Sequence, residues 1–262
     1  MSPTQETERA TAGVRAQRIA VGLVICTTLA AGCAAPPFNV VTRLGALTPE
    51  SATSVPLANL QLAGDFGIGQ LADGAGAFAL FDGRCLALTN GVARPAPLGA
   101  RVRQGLVTRY RWDTALAIKD QTSLLALGER LDAIVPNREL PCAVRVRGRF
   151  LSVNITASPL DRFPDAIRQT APLPAWSYSL SNTAGTLIGF RLPAPCGALA
   201  RPGLTLFFVA ENLRSGGFAA DCQLADGHLE VAVGETFTVR VQKDVDGDGV
   251  IRPLSQARPS TD

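Results

Sequence analysis

The sequence predicts a strand-rich α+β fold with mixed and antiparallel sheets and few helices. Three observations point there: apolar residues alternate at period two along several segments, helical spacing marks only one long stretch, and glycine and proline (25 and 18 of 262 residues) break the chain into short elements. A hydrophobic share of 47% against 18% charged gives the apolar surface for one large or two small domains. That balance excludes a disordered, collagen-like or coiled-coil chain. No Gly-x-Gly-x-x-Gly or Walker loop follows a strand, which argues against a doubly wound parallel sheet.

In chain order, the first 18 residues are polar and carry Arg9, Arg15 and Arg18, after which Ile19–Gly32 runs without a charge. This is short of the about 20 residues of a membrane span and fits the roughly 7–15 of a signal-peptide core. Leu29-Ala30-Ala31-Gly32-Cys33 resembles the lipobox of bacterial lipoproteins, so residues 1–32 are expected to be a signal peptide and Cys33 the acylated N-terminus. A plain signal peptide cut after a nearby Ala-x-Ala-like site is the alternative. Ala34 offers no acidic retention cue, which favours export to the outer membrane or periplasm with a lipid as membrane partner. Residues 33–37, rich in Ala and Pro, form a tether to a domain at 38–242, and residues 243–262 form an acidic turn and a flexible tail.

Within the domain, Asp82-Gly83 between two apolar runs, Gly76–Phe81 and Arg84–Leu88, is the strongest short-range hairpin signal. Strands are expected at Ala100–Trp112, Ala143–Ile155, Thr186–Leu192 and Leu204–Ala210. Leu229, Val231 and Val233, a turn at Gly234-Glu235, and Phe237, Val239 and Val241 read as a final hairpin. A helix is predicted over Thr122–Val135, because Leu124, Leu127, Leu131 and Ile134 recur at helical spacing, Thr122 or Ser123 can cap it, and Pro136 stops it. A shorter helix is expected within Leu160–Gln169.

The chemistry on offer is sparse. The formal charge is only +3, and no Lys/Arg run or aromatic-basic stripe marks a nucleic-acid face, so no nucleic-acid partner is expected. One histidine and no Gly-x-Ser-x-Gly elbow leave little for Ser/His/Asp or Cys/His catalysis. That histidine, His228, sits in a turn signal, Ala225-Asp226-Gly227-His228, and reads as a solvated side chain. Past the signal peptide and Cys33, the domain has Cys85, Cys142, Cys196 and Cys222, which permit two disulfides in three pairings or serve as small buried hydrophobes. Asp244, Asp246 and Asp248 with Gly249 match the opening of a calcium loop, but Ser255 stands where a bidentate glutamate belongs and Pro253 interrupts the exit helix. A solvated acidic turn or weak calcium binding follows.

Four phrases in order carry a more specific signal: Gly64-Asp65-Phe66-Gly67-Ile68-Gly69; Val135-Pro136-Asn137-Arg138 leading to Ala143-Val144-Arg145; Gly185-Thr186-Leu187-Ile188-Gly189-Phe190; and Ser215-Gly216-Gly217 followed by Asp221. Together they resemble the α-acetolactate decarboxylase family, over about Phe38 to Val241. The resemblance implies that family's fold and a carboxy-lyase ancestry, 2-acetolactate going to acetoin and CO2. It also implies a zinc ion that accepts the charge of the enediolate left by CO2 loss. In the family, zinc sits on a His-x-His pair and a Gly-Gly-His histidine. At the matching places this chain has Thr205, Phe207 and Phe218, and Ala77 where the family has a glutamate.

Neither phenyl ring nor methyl can donate to zinc. No cofactor is therefore expected, and the resemblance implies a non-catalytic module that binds an unknown small ligand or protein partner, with an apolar pocket around Phe207 and Phe218 or that space filled by the rings themselves. The alternative is an active decarboxylase with a relocated metal. Arg145 matches the family's arginine and is either a contact for a substrate carboxylate or a strand-face residue paired with an acid, like Arg147 and Arg149 on the same face. Asp65 reads as a turn and hydrogen-bonding residue.

Overall fold

In the computed structural model, the described residues are 38–42, 54–72, 76–156, 176–198 and 201–241. The expected signal peptide and tether with Cys33, the helix expected within Leu160–Gln169, and the expected acidic turn with Asp244, Asp246 and Asp248 all lie outside them.

The chain builds two sheets. The first contains β1 (Phe38–Thr42), β2 (Val55–Pro56), β3 (Phe66–Leu71), β4 (Ala77–Phe81), β5 (Arg84–Thr89), β6 (Val92–Pro95), β7 (Arg101–Thr108) and β14 (Phe237–Val241). Its order is β14-β1-β7-β3-β4-β5-β6, with β2 on β7. The second contains β8 (Thr114–Ile118), β9 (Thr122–Ser123), β10 (Cys142–Thr156), β11 (Ser177–Leu192), β12 (Gly203–Ala210) and β13 (Gly216–Val233), in the order β10-β11-β12-β13-β8. Every pairing is antiparallel except that of β1 with β14. Helices are confined to α1 (Leu57–Ala63), α2 (Leu124–Ile134) and a 3-10 turn at Ala194–Ala198. The strand-rich α+β class expected from the sequence is the class observed.

Period-two alternation stacks these elements in four layers. On β4, Ala77, Ala79 and Phe81 join Phe190, Phe207 and Val209 of the second sheet in the central core, whereas Phe78 and Leu80 turn outward to Leu57 and Leu60 of α1. On the far side, Leu127 and Leu131 of α2 cover Val144, Val146, Leu206 and Phe208. Ser123 caps α2 through a hydrogen bond from the Ala126 N–H to its Oγ at 3.2 Å. The β4–β5 turn has positive φ at both Asp82 (50°) and Gly83 (69°), as a two-residue hairpin of this hand requires.

The second sheet closes on itself: β10 pairs with both β11 and β13, and β12 pairs with the same two strands. Close approach is bought by glycine. A Cβ at Gly185 would stand 2.4 Å from the Phe208 ring, and one at Gly148 would stand 2.2 Å from the Asp226 carbonyl oxygen.

Three expectations change. The strand expected over Ala100–Trp112 stops at Thr108. The final hairpin does not form: β13 ends at Val233 within the second sheet, while β14 crosses to pair with β1 in the first. His228 is not in a turn; it stands within β13, paired with Arg147 and Ala117. The four described cysteines are free thiols. Cys142 and the β10 partner of Cys222, Val153, lie eleven residues apart on one strand, on the order of 35 Å and far beyond disulfide reach.

Candidate functional site

The register of the second sheet brings the residues singled out in the sequence into one neighbourhood. Arg145 on β10 pairs with Ile188 on β11, Ile188 pairs with Phe207 on β12, and Phe207 pairs with Phe218 on β13. Thr205 precedes Phe207 by two residues on β12, opposite Phe190. From the other sheet, Ala77 belongs to the same apolar cluster as Phe207, with Phe218 packed against it.

The arrangement is dry. Phe207 has no exposed surface, and its ring meets that of Phe218 edge to face at 6.0 Å. Ala77 is 3% exposed. The guanidinium of Arg201 lies over the Phe218 ring, 5.8 Å from its centre. Thr205 is also buried, and its hydroxyl has no hydrogen-bond partner among the described residues. Phe207 packs with Ala77, Ile188, Phe190 and Val209 in the central core, and Phe218 lies half-buried against that cluster.

Arg145 stands at the margin of this core and is held on four sides. Its Nε donates to Glu230 and its Nη1 to Asp82 at 3.0 Å. The guanidinium lies 4.8 Å from the Tyr110 ring centre and 5.7 Å from that of Trp112. Tyr110 in turn stacks on Phe66 and donates its hydroxyl proton to the Glu230 carbonyl oxygen at 3.0 Å. Burial pushes the Tyr110 phenol well above its usual range, and Arg145 only partly offsets this. Asp82 also accepts from Arg147, and Arg149 pairs with Asp226. Asp65 accepts a hydrogen bond from the Tyr110 N–H at 2.7 Å.

Sequence reasoning did not bring Asp82, Tyr110, Trp112 and Glu230 around Arg145. Asp82 comes from the β4–β5 turn, Tyr110 and Trp112 from the β7–β8 connection and Glu230 from β13, and the two carboxylates lie 63 and 85 residues from Arg145, so no local spacing marks them.

Comparison with solved structures defines the class first. An alpha-acetolactate decarboxylase from Bacillus subtilis strain 168 matches with TM-score 0.69 at 23% identity, covering 84% of this chain and 95% of that one. A Staphylococcus aureus protein described as of unknown function and similar to alpha-acetolactate decarboxylase matches with TM-score 0.66 at 18% identity, covering 78% of this chain and 88% of that one. The fold is thus that of the acetolactate decarboxylase structures. The sequence profile of the family described as alpha-acetolactate decarboxylase matches residues 42–247, and the chain belongs to that family.

Among its relatives, the alpha-acetolactate decarboxylase of Methanosarcina mazei is 28% identical over 188 residues, 71% of this chain and 65% of that protein. That of Bacillus subtilis is 27% identical over 196 residues, 72% of this chain and 75% of that protein. The chain therefore spans less than two thirds of the length of the Methanosarcina relative.

Zinc of the kind the resemblance implies needs nitrogen, sulfur or carboxylate donors. The groups at the four matching positions are one hydroxyl, two phenyl rings and one methyl; Ala77, Thr205 and Phe207 are buried, and Phe218 is half-buried against the apolar cluster. They do not fit the ion. Among the described residues, no three His, Cys, Asp or Glu side chains gather elsewhere as a metal site.

Proposed function

We propose that this protein is an exported, lipid-anchored relative of acetolactate decarboxylase that binds a small ligand or partner without decarboxylating it. One observation carries the reading: where the resemblance calls for a cation, Phe207 and Phe218 meet edge to face and Thr205 holds an unpartnered hydroxyl. Decarboxylation leaves an electron pair that must be stabilised as it forms, and that stabilisation is the dominant part of such catalysis. A hydrocarbon contact supplies none. Arg145, the remaining cation of the family's set, is engaged by Glu230 and Asp82, so a substrate carboxylate would have to displace one of them.

The test is an assay of the purified mature protein on racemic acetolactate, with elemental analysis of the same sample. Acetoin should form no faster than without protein, and zinc should be substoichiometric. Stoichiometric metal with chelator-sensitive turnover would instead establish the relocated-metal enzyme. For the anchor, Cys33→Ser should abolish incorporation of labelled fatty acid and release the protein from membranes; unchanged labelling would remove the lipoprotein reading.

A further inference from the structure

Beside Arg145, a cleft of about 770 Å3 opens between the β4–β5 hairpin and the second sheet. It falls within the usual size of small-molecule sites. None of Ala77, Arg145, Thr205, Phe207 and Phe218 lines it. Its floor is a single cross-strand row: Ala117 pairs with His228, His228 with Arg147, Arg147 with Thr186, and Thr186 with Val209, across β8, β13, β10, β11 and β12. The middle three present an imidazole, a guanidinium and a hydroxyl on adjacent strands, at about the 4.8 Å spacing of a sheet. The two ends of the row are apolar.

Arg147 is fixed in place. Its Nη2 donates to Asp82 at 2.5 Å, and a guanidinium has further donors beyond that one. His228, the only histidine of the chain, is exposed on this floor. At the rim, Arg84 and Lys119 form no ion pair among the described residues, whereas Asp226 is engaged by Arg149. Four cations thus face three carboxylates, Asp82, Glu211 and Asp226, around the opening. Leu213 and Ala184, both half-buried, supply apolar surface.

We infer that this cleft binds a small organic acid. The Arg147 fork, with Thr186 and His228 beside it, receives the carboxylate, since planar guanidinium donors match two carboxylate oxygens at once. Leu213 and Ala184 receive the hydrocarbon body, and the surplus positive charge favours the anion over a neutral compound of the same shape. The inference deepens the ligand-binding reading above and rests on it.

The sole histidine provides the readout. Mature protein carrying no polyhistidine tag, labelled in its histidine ring, is titrated with 3-methylbutanoate, with 3-methylbutan-1-ol as its neutral counterpart, and with inorganic phosphate. The acid should shift the His228 ring signals saturably with a Kd on the order of 1 mM or tighter, and the alcohol should not. Arg147→Gln should weaken the acid at least tenfold, and so should Thr186→Val to a smaller degree, with both variants retaining the wild-type strand pattern in their amide spectra. A flat titration, an equal response to the alcohol, a response to phosphate alone, or unchanged affinity in Arg147→Gln would overturn the inference. Acetoin production by the same sample would sink the non-catalytic reading yet leave a positive titration standing; a flat titration without acetoin would sink the cleft alone.

Discussion

Arg145 joins the two sheets. Glu230 reaches it from β13 and Asp82 from the β4–β5 turn, while two aromatic rings cover its face. Its side chain is 9% exposed and that of Glu230 18%, so removing one partner leaves a poorly hydrated charge. Glu230→Ala should cost about 3 kcal/mol in urea unfolding, as for other buried pairs deprived of one member; a change near zero would show that Asp82 alone suffices. Thr205 makes the opposite case. Its hydroxyl is buried without a partner, so Thr205→Val, which keeps the shape and removes the oxygen, should stabilise by about 1 kcal/mol. If Thr205→Val is destabilised, the hydroxyl has a partner after all, and the dry-core argument at that position fails.

At the level of elements, legibility followed sequence distance. The Asp82-Gly83 hairpin and the capped helix α2 were readable because their determinants are local: two positive-φ turn residues in one case, a serine cap and a following proline in the other. β14 was readable as a strand but not as a partner of β1, because the alternation of Phe237, Val239 and Val241 says which residues share a face and nothing about whose backbone they meet. Helix α1, seven residues long, carries no side-chain cap and went unseen. The two carboxylates and two aromatic rings around Arg145 were hidden for the same reason as the β1 pairing. The closure of the second sheet, by contrast, has a sequence mark in Gly148 and Gly185. Gly185→Ala would drive a methyl into the Phe208 ring and should destabilise by about 1–3 kcal/mol; a neutral result would mean that β11 can move away from β12 freely.

For the whole molecule, the four thiols set an alkaline limit. Burial raises Cys85 to about 11 and Cys222 to about 12 from 9.0, and raises Cys142 and Cys196 as well. The folded state therefore holds these protons more tightly than the unfolded chain. Their effect is absent well below pH 9 and becomes a loss of stability as pH rises through 9, where only the unfolded thiols ionise, at a slope approaching about 1.4 kcal/mol per pH unit for each. Urea midpoints measured at pH 7 and pH 10 should differ in that direction, and Cys222→Ala should narrow the gap; equal midpoints would show the thiols to be hydrated. A last consequence follows from the outer edge of the first sheet. Among the described residues, the backbone pairing of β14 within that sheet runs through β1, which lies between β14 and β7. Anything that peels away β1, whether a protease nick or a pull, also strips β14 of that backbone pairing, so the amides of both strands should lose protection from hydrogen exchange together.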